Sequence, residues 1–208
     1  MNASISIPVC ILAGGASRRF GSNKALALLG GRPLISHVLE RVGQQTQSPI
    51  AINCDEAGAF ADFDLPLVPD SKWTGEGPLS GIFASITWAR AQGYSQVATV
   101  SVDVPCLPMD LISKLSGAGA PSIASSGDRW HPVNGLWDTS KLDDLDDYLR
   151  SGERSVHGWA ESCKARVVHF EAARDGLDPF YNINTPAELE RISAIPKPDD
   201  VSPDRDDG

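Results

Sequence analysis

The sequence predicts a single α/β domain with a mainly parallel sheet. Short apolar runs of strand length, at residues 9–12, 50–52 and 97–102, are typical of buried parallel strands. Segments with apolar residues at helical spacing lie between these runs. A length of 208 residues is long for one domain and short for two, so one domain is expected.

The first strand leads into a glycine-rich turn that is followed by cations. Gly14 and Gly15 come soon after residues 9–12, and Arg19 and Lys24 lie further along. Paired glycines let the backbone approach a ligand closely, exposed N–H groups bind phosphate oxygens, and cations neutralise their charge. The spacing matches neither G-x-x-x-x-G-K-[ST] nor G-x-G-x-x-G. The stretch therefore predicts a triphosphate-binding loop of another kind, with an ordinary strand-to-helix turn as the alternative.

The first half of the chain then alternates between helices and strands. The predicted elements are a helix at 33–42 with Pro33 at its first position, a strand at 50–52, an extended run at 65–68, a helix from Leu79 to about Gln92, and a strand at 97–102. Ligands of open α/β sheets lie beyond the carboxyl ends of the strands. Because Gly14, Asn53, Asp70 and Asp103 all follow such strands, we expect them to converge on one site. Plain turns at Asp70 and Asp103 are the alternative.

The second half has weaker patterns. The predicted elements are strands at 122–124, 133–137 and 166–170, a helix at 139–149, and a last helix that begins at Pro186. Thr185 and Glu188 have the spacing of a capping box, which supports that start. We expect the domain to span residues 1–195, and the acidic tail at 196–208 to be disordered.

Composition excludes several classes of protein. The net charge of −9 argues against binding to nucleic acid or to anionic membranes, and no apolar run is long enough to span a bilayer. The four cysteines and four histidines lack metal-ligand spacing. The N-terminus lacks the features of a signal peptide, so we expect a cytoplasmic protein. An acidic protein that binds a triphosphate needs local cations and a divalent metal.

Five segments carry a resemblance to a known family. They are LAGGASRRFGSNKALALLGGRPLISHVLERV, GEGPLSGIFASI, VSVDVPCLPMDL, DRWHPVNGLW and FYNINTPAEL. In this order they resemble the molybdenum cofactor guanylyltransferases, a branch of the nucleotidyltransferases. The resemblance implies a three-layer, Rossmann-like nucleotidyltransferase fold. Phe20 replaces the usual methionine, while Val104 and Asn134-Gly135 depart from the family pattern on the side of the second substrate.

The resemblance implies transfer of GMP from GTP to the terminal phosphate of molybdopterin, with release of pyrophosphate. Lys24 and Arg19 would neutralise the phosphates, and Lys24 is expected to add little to stability. Asp103 would hold Mg²⁺. The implied GTP-binding residues are Leu12, Ala13, Gly14, Gly15, Lys24, Asn53, Asp70 and Asp103. Molybdenum cofactor insertion proteins or apo-molybdoenzymes are further implied partners.

Two other functions stay open at this point. The first is an enzyme of the same fold with other substrates, either CTP and the same pterin or a sugar phosphate and another nucleotide. LAGG rather than LAAG, together with the closing asparagine-rich segment, favours the guanylyl branch. The second is a non-catalytic nucleotide-binding adaptor, which has less need for both Lys24 and Asp103 beside the phosphates.

Overall fold

A computed structural model describes residues 6–14, 23–172 and 176–193. Gly15, Arg19 and the predicted tail at 196–208 lie outside these ranges. The strands are β1 (Val9–Leu12), β2 (Leu28–Leu29), β3 (Arg32–Pro33), β4 (Ile50–Asn53), β5 (Leu67–Val68), β6 (Gln96–Ser101), β7 (Ser122–Ser126), β8 (Arg129–Asp138) and β9 (Arg166–His169). The α-helices are α1 (Leu34–Gly43), α2 (Pro78–Ala91), α3 (Leu111–Ala118), α4 (Leu142–Arg150), α5 (Val156–Ser162) and α6 (Pro186–Ser193). Short 3₁₀ helices lie at Lys24–Leu26, Ala57–Phe63 and Thr139–Lys141.

The predicted mainly parallel sheet is confirmed. A seven-stranded sheet has the order β5-β4-β1-β6-β8-β7-β9. All of its strands run in the same direction except β8, which is antiparallel to both of its neighbours. The chain winds from β1 outward to β4 and β5, and then returns to place β6 on the other side of β1. The strand order therefore reverses between β1 and β6, where ligands of open α/β sheets bind.

Helices cover both faces of the sheet, which confirms the three layers. Within β1, Val9 and Ile11 face one core, while Cys10 and Leu12 face the other. This follows from the period of two in a strand. The first core includes apolar residues of α1 and α3, and the second includes those of α2, α4 and α5. Each core excludes water from one face of the sheet, and the two faces together fix the register of β1.

Several boundaries differ from the predictions. The helix expected from Pro33 begins at Leu34, because Pro33 pairs in the small β2–β3 hairpin and becomes the N-cap residue. The strand expected over 97–102 ends at Ser101, although the Val102 N–H still donates to the Leu12 carbonyl at 3.2 Å. Helices α3 and α5 were not predicted. No described helix is long and apolar enough to cross a bilayer.

The start of the last helix is confirmed, together with its capping box. The Glu188 N–H donates to Thr185 Oγ1 at 3.2 Å, and the Glu188 carboxylate accepts from the Thr185 hydroxyl at 3.1 Å. The same carboxylate accepts from the Asn184 N–H at 2.7 Å. These bonds satisfy backbone donors that a helix start leaves unpaired. They also fix the chain just before α6, where it approaches the ligand-binding edge of the sheet.

Candidate active site

A cleft of about 1050 Å³ opens at the carboxyl ends of β1, β4 and β6. The structure brings six of the predicted site residues to its walls: Leu12, Ala13, Gly14, Asn53, Asp70 and Asp103. Lys24 does not line the cleft, although its neighbour Asn23 does. Gly15 and Arg19 lie outside the described residues.

One wall of the cleft is organised by Asn53 at the end of β4. Its side chain is buried and its Nδ2 donates to both the Val68 carbonyl and Asp70 Oδ1, each at 2.9 Å. The Asp70 N–H is in turn 3.3 Å from Asp55 Oδ1. Burial raises the pKa of the Asp70 carboxyl, the bond from Asn53 lowers it, and the charge of Asp55 adds to the rise. The wall thus presents the Asp70 carboxylate in a fixed position, where it can accept hydrogen bonds from the N–H groups of a nucleobase.

Gly81 in α2 makes room for that asparagine. A Cβ built on Gly81 would lie 2.5 Å from Asn53 Oδ1 and 3.2 Å from a methyl group of Leu12. Real Cβ atoms do not approach an oxygen so closely, so only glycine leaves Asn53 where it is. Packing against Asn53 therefore explains the third glycine of the GEGPLSGI segment, which is the one glycine within α2.

We predict that Gly81→Ala destabilises the protein and weakens nucleotide binding, because Asn53 must move. Glycine to alanine inside a helix otherwise stabilises by up to about 1 kcal/mol. Gly117→Ala in α3 is the matched control, since a Cβ there meets nothing within 4 Å. Chemical denaturation of both variants checks the prediction. A Gly81→Ala protein as stable as Gly117→Ala would contradict it.

An ion pair joins Asp103, which lines the cleft, to Lys24, which does not. Lys24 Nζ lies 2.9 Å from Asp103 Oδ2 and donates to Asn184 Oδ1 at 2.8 Å. The lysine and aspartate side chains are only 14% and 18% exposed. Asp103 Oδ1 accepts from the Ser101 hydroxyl, and the Asp103 carbonyl accepts from the Ile183 N–H at 2.9 Å. Residues far apart in sequence thus fix the Asp103 carboxylate at the edge of the sheet where the strand order reverses.

The donors near Asp103 fit a divalent cation that arrives with phosphates. Within residues 6–14, 23–172 and 176–193, no group of three or more His, Cys, Asp or Glu side chains could hold a metal ion. Mg²⁺ does not need one, because it binds through one or two carboxylates and completes its shell with phosphate oxygens and water. Asp103 supplies such a carboxylate at the cleft, where its Oδ2 contacts Lys24 and its Oδ1 accepts from the Ser101 hydroxyl.

The opposite wall of the cleft comes from a bulged stretch of β8. Ile123 pairs with Gly135 and Ala124 with His131, so three residues of β8 bulge out between these two pairs. All residues from 129 to 134 line the cleft, and we call this stretch the β8 wall. Residues 129–131 pair regularly with β7, so Trp130 and His131 face opposite sides of the sheet, and the bulge adds residues 132–134 to the wall.

His131 of the β8 wall is held by a small polar network. Its Nε2 lies 2.7 Å from Ser126 Oγ, and that hydroxyl donates to Asp178 Oδ1 at 2.8 Å. The ring also stacks on Phe180, with centroids 4.7 Å apart. Burial lowers the pKa of His131 below its usual value, while the Asp178 carboxylate raises it and Arg129 lowers it further.

Sequence reasoning missed the residues that support the site. Ser101, Ser126 and Asp178 bond to Asp103 and to the network around His131. The role of Ser101 could have been predicted, because it lies two residues before Asp103. Nothing in the sequence points to Ser126 and Asp178, because their contact joins positions 52 apart.

Comparison with solved structures shows which proteins share this fold. Molybdopterin-guanine dinucleotide biosynthesis protein A from Archaeoglobus fulgidus matches with a TM-score of 0.68 at 22% identity, over 90% of this chain and 97% of that one. A CMP:2-keto-3-deoxy-manno-octonic acid synthetase complexed with CTP matches with a TM-score of 0.66 at 16% identity, over 91% and 98%. The chain therefore has the fold of these nucleotidyltransferases, with Asp103 at the edge where the strand order reverses.

Sequence comparison then gives the family. The model of the MobA-like NTP transferase domain matches residues 9–166. The molybdenum cofactor guanylyltransferase of Cereibacter sphaeroides is 40% identical over 196 residues, which cover 91% of this chain and 96% of the relative. That of Acidiphilium cryptum is 37% identical over 88% of this chain and 92% of the relative. The chain belongs to the molybdenum cofactor guanylyltransferase family.

Proposed function

We propose that this protein transfers GMP from GTP to the terminal phosphate of molybdopterin, giving the guanine dinucleotide cofactor and pyrophosphate. The observation that carries the proposal is one cleft with two different walls. Its volume of about 1050 Å³ is at the upper limit of the roughly 300–1,000 Å³ usual for a pocket that holds one small ligand. Asn53 and Asp70 form one wall and the β8 wall forms the other, with Asp103 between them.

The nucleophile in this reaction needs no general base. A phosphate monoester has a second pKa near 6, so its terminal oxygen is mostly ionised at neutral pH. The difficulty is that two polyanions must meet in line. Phosphoryl and nucleotidyl transfers of this kind depend mainly on alignment and on stabilisation of developing charge. This agrees with a site built from backbone groups, one carboxylate and one lysine.

Each residue then has a proposed role on the GTP side. The backbone of Leu12, Ala13, Gly14 and Gly15 would hold the base and phosphates, and Asn53 and Asp70 would contact the nucleoside. Asp70 is suited to guanine, because its carboxylate accepts hydrogen bonds from the N–H groups on the edge of that base. Arg19 and Lys24 would neutralise the triphosphate and the leaving pyrophosphate.

Asp103 would hold Mg²⁺, which would supply charge stabilisation at the phosphate oxygens. With Asp103 engaged as a metal ligand, Lys24 would contact the phosphates instead. Asn184, the second partner of Lys24, lies on the segment before α6. This arrangement keeps a lysine beside the reacting phosphates without exposing it to solvent in the free protein.

Other parts of the proposal extend beyond the cleft. Residues 1–195 would form the catalytic domain, in a cytoplasmic protein. Insertion proteins or apo-molybdoenzymes would receive the product. These partners rest on the family resemblance alone, and no surface of the described residues is assigned to them.

A thermal-shift panel of GTP, CTP, ATP and UTP with Mg²⁺ tests the choice of nucleotide. We expect GTP to stabilise the protein most, by about 2.7 kcal/mol at a concentration 100-fold above its Kd. Asp70→Asn is the matched variant: it keeps an oxygen for the bond from Asn53 but loses the charge, so the preference for GTP should shrink. Equal or greater stabilisation by CTP would refute the guanylyl assignment and favour a cytidylyltransferase.

A further inference from the structure

A loop leads from Asp70 to the start of α2, and we call its residues 71–77 the Trp73 loop. Gly75 and Gly77 have φ values of 81° and 79°, which favour glycine, and both line the cleft. Glycine loses more conformational freedom on folding than any other residue. A loop with two such residues beside Asp70 therefore needs contacts outside its own backbone to hold one conformation.

Hydrogen bonds connect the Trp73 loop to the elements on either side of it. The Thr74 hydroxyl lies 3.2 Å from the carbonyl oxygen of Asp70. The Ser80 hydroxyl of α2 donates to the Trp73 carbonyl and accepts from the Glu76 N–H at 3.2 Å. Ser80 is buried. A displacement of the loop would therefore be transmitted both to Asp70 and to the first turn of α2.

A side chain of α4 anchors the loop at Trp73. Asp146 Oδ1 accepts from Trp73 Nε1 at 3.0 Å, and both oxygens of the same carboxylate lie 2.7 Å from Lys72 Nζ. The Asp146 side chain is only 16% exposed. The hydrogen bond from Lys72 lowers the pKa of the Asp146 carboxyl below its usual value. One carboxylate of α4 thus holds two consecutive side chains of the loop.

A second anchor comes from the segment after α4. Arg154 Nε donates to Glu76 Oε2 at 2.5 Å, and Arg154 Cζ lies 5.6 Å from the centroid of the Trp73 ring. Arg154 Nη1 donates to the carbonyls of Leu149 and Glu153, at 2.7 and 2.8 Å. The arginine is thus itself fixed to the end of α4, and it contacts the loop through both a carboxylate and an aromatic face.

The two ion pairs have opposite polarity. The loop supplies the cation to the pair of Lys72 and Asp146, and the anion to the pair of Glu76 and Arg154. Exchanged partners would place like charges together, so the arrangement favours one alignment of the loop on α4. None of these four side chains lines the cleft. They can therefore act on a ligand only through the loop.

We propose that Trp73, Asp146 and Arg154 are positioning residues that set the affinity of the cleft for nucleotide, because they hold the Trp73 loop in its binding conformation. A loop that is already ordered loses less conformational entropy when a ligand binds, which raises affinity. The inference rests on the proposed function in one respect, which is that GTP occupies the wall formed by Asn53 and Asp70. It gives α4 and the segment after it a role in binding, although they lie outside the cleft.

The alternative is that these contacts only stabilise the packing of α4 on the domain. Arg90 of α2 and Asp143 of α4 form another ion pair, at 3.7 Å, with side chains that are 52% and 84% exposed. Arg90 lies in the last turn of α2, whereas Pro78 and Gly81 near the start of that helix line the cleft. Arg90→Gln is therefore the matched control, since it removes an ion pair of α4 and leaves the Trp73 loop untouched.

The test combines equilibrium binding of GTP with Mg²⁺, amide hydrogen exchange of residues 71–77, and steady-state kinetics. In Trp73→Ala and Arg154→Gln we expect faster exchange in the loop. With the binding conformation populated in about one tenth of the molecules, the apparent Kd should rise about tenfold. KM for GTP should rise with it, while kcat at saturating GTP should change by less than about twofold, because bound nucleotide restores the loop.

A charge swap separates positioning from a loss of stability. Glu76→Arg and Arg154→Glu should each raise the Kd for GTP, because each places like charges together. The double variant should bind GTP more tightly than either single variant, because the swapped pair anchors the loop again. Arg90→Gln should bind GTP as the unmodified protein does. Thermal unfolding of every variant is measured in parallel.

Unchanged GTP affinity in Trp73→Ala and Arg154→Gln overturns the inference, even where the loop exchanges faster. An equal loss of affinity in Arg90→Gln also overturns it, because the effect would then come from the packing of α4. A preference of the unmodified protein for CTP contradicts the proposed function instead, and the same variants then decide the inference with CTP as the ligand.

Discussion

Asp103→Asn is expected to reduce GMP transfer by a factor of about 10²–10³, the range seen when one preorganised electrostatic group is removed from an active site. Asparagine keeps one oxygen but loses the charge that would bind a divalent cation and pair with Lys24. The fold should survive, because the Asp103 carbonyl accepts from the Ile183 N–H through the backbone and the side chain is not needed for that bond. The measurement is kcat over a Mg²⁺ titration, with thermal unfolding in parallel.

Asp110→Asn is the matched control. Asp110 is exposed and pairs with Lys114 on the surface of α3, so its variant should be as active as the unmodified protein. Turnover near normal in Asp103→Asn at limiting Mg²⁺ would remove this residue from the proposed metal site. The site would then need another ligand for the cation.

Lys24→Ala is expected to lower kcat by more than it weakens GTP binding, because the lysine would act on charge that develops on the leaving pyrophosphate. The variant should also be less stable by about 1–2 kcal/mol, since Asp103 is left in a partly buried position without its cation. The sequence before Lys24, Gly21-Ser22-Asn23, predicts a solvated side chain and a smaller loss of stability. The structure revises that expectation, because the lysine is 14% exposed and bonds to both Asp103 and Asn184.

Kinetics and unfolding of Lys24→Ala and Lys24→Arg separate these effects. Lys24→Arg keeps the charge but changes the reach and shape, so its loss of kcat should be partial. Lys114→Ala, which removes a lysine from the exposed pair with Asp110, is the control and should alter neither quantity. If kcat of Lys24→Ala is unchanged, the lysine has only a structural role and the adaptor hypothesis gains support.

The part of the fold near the ligand-binding edge was predictable from the sequence. Buried strands of an α/β sheet are short, apolar and contiguous, so β1, β4 and β6 stand out from their surroundings. The polar residues that follow such strands must lie at one edge of a parallel sheet. For this reason the sequence predicts that Gly14, Asn53 and Asp103 converge, and all three line one cleft.

The rest depends on contacts between distant parts of the chain. Helices α3 and α5 are short, and packing against the sheet decides whether such segments are helical. The bulge in β8 interrupts the alternation that a strand prediction relies on. The network of Ser126, His131 and Asp178 has no local pattern at all. Sequence therefore locates the nucleotide wall better than the β8 wall, because only the first is built from residues next to strand ends.

The order in which the chain is made has a consequence for the site. The last strand of the sheet ends at His169, yet Asp178, Ile183 and Asn184 supply the bonds that hold Ser126, Asp103 and Lys24. During synthesis on the ribosome, every strand has thus been made before these late contacts exist. At about 5–20 residues per second, the interval between His169 and Asn184 lasts about 1–3 seconds.

A nascent chain in that interval has all the strands of its sheet but an unfinished cleft. Chains arrested at increasing lengths should therefore give GMP transfer only after residues through Asn184 have emerged from the ribosome. Activity in a chain that ends at residue 172 would contradict this order. On this account the sheet is complete in the nascent chain before the cleft is.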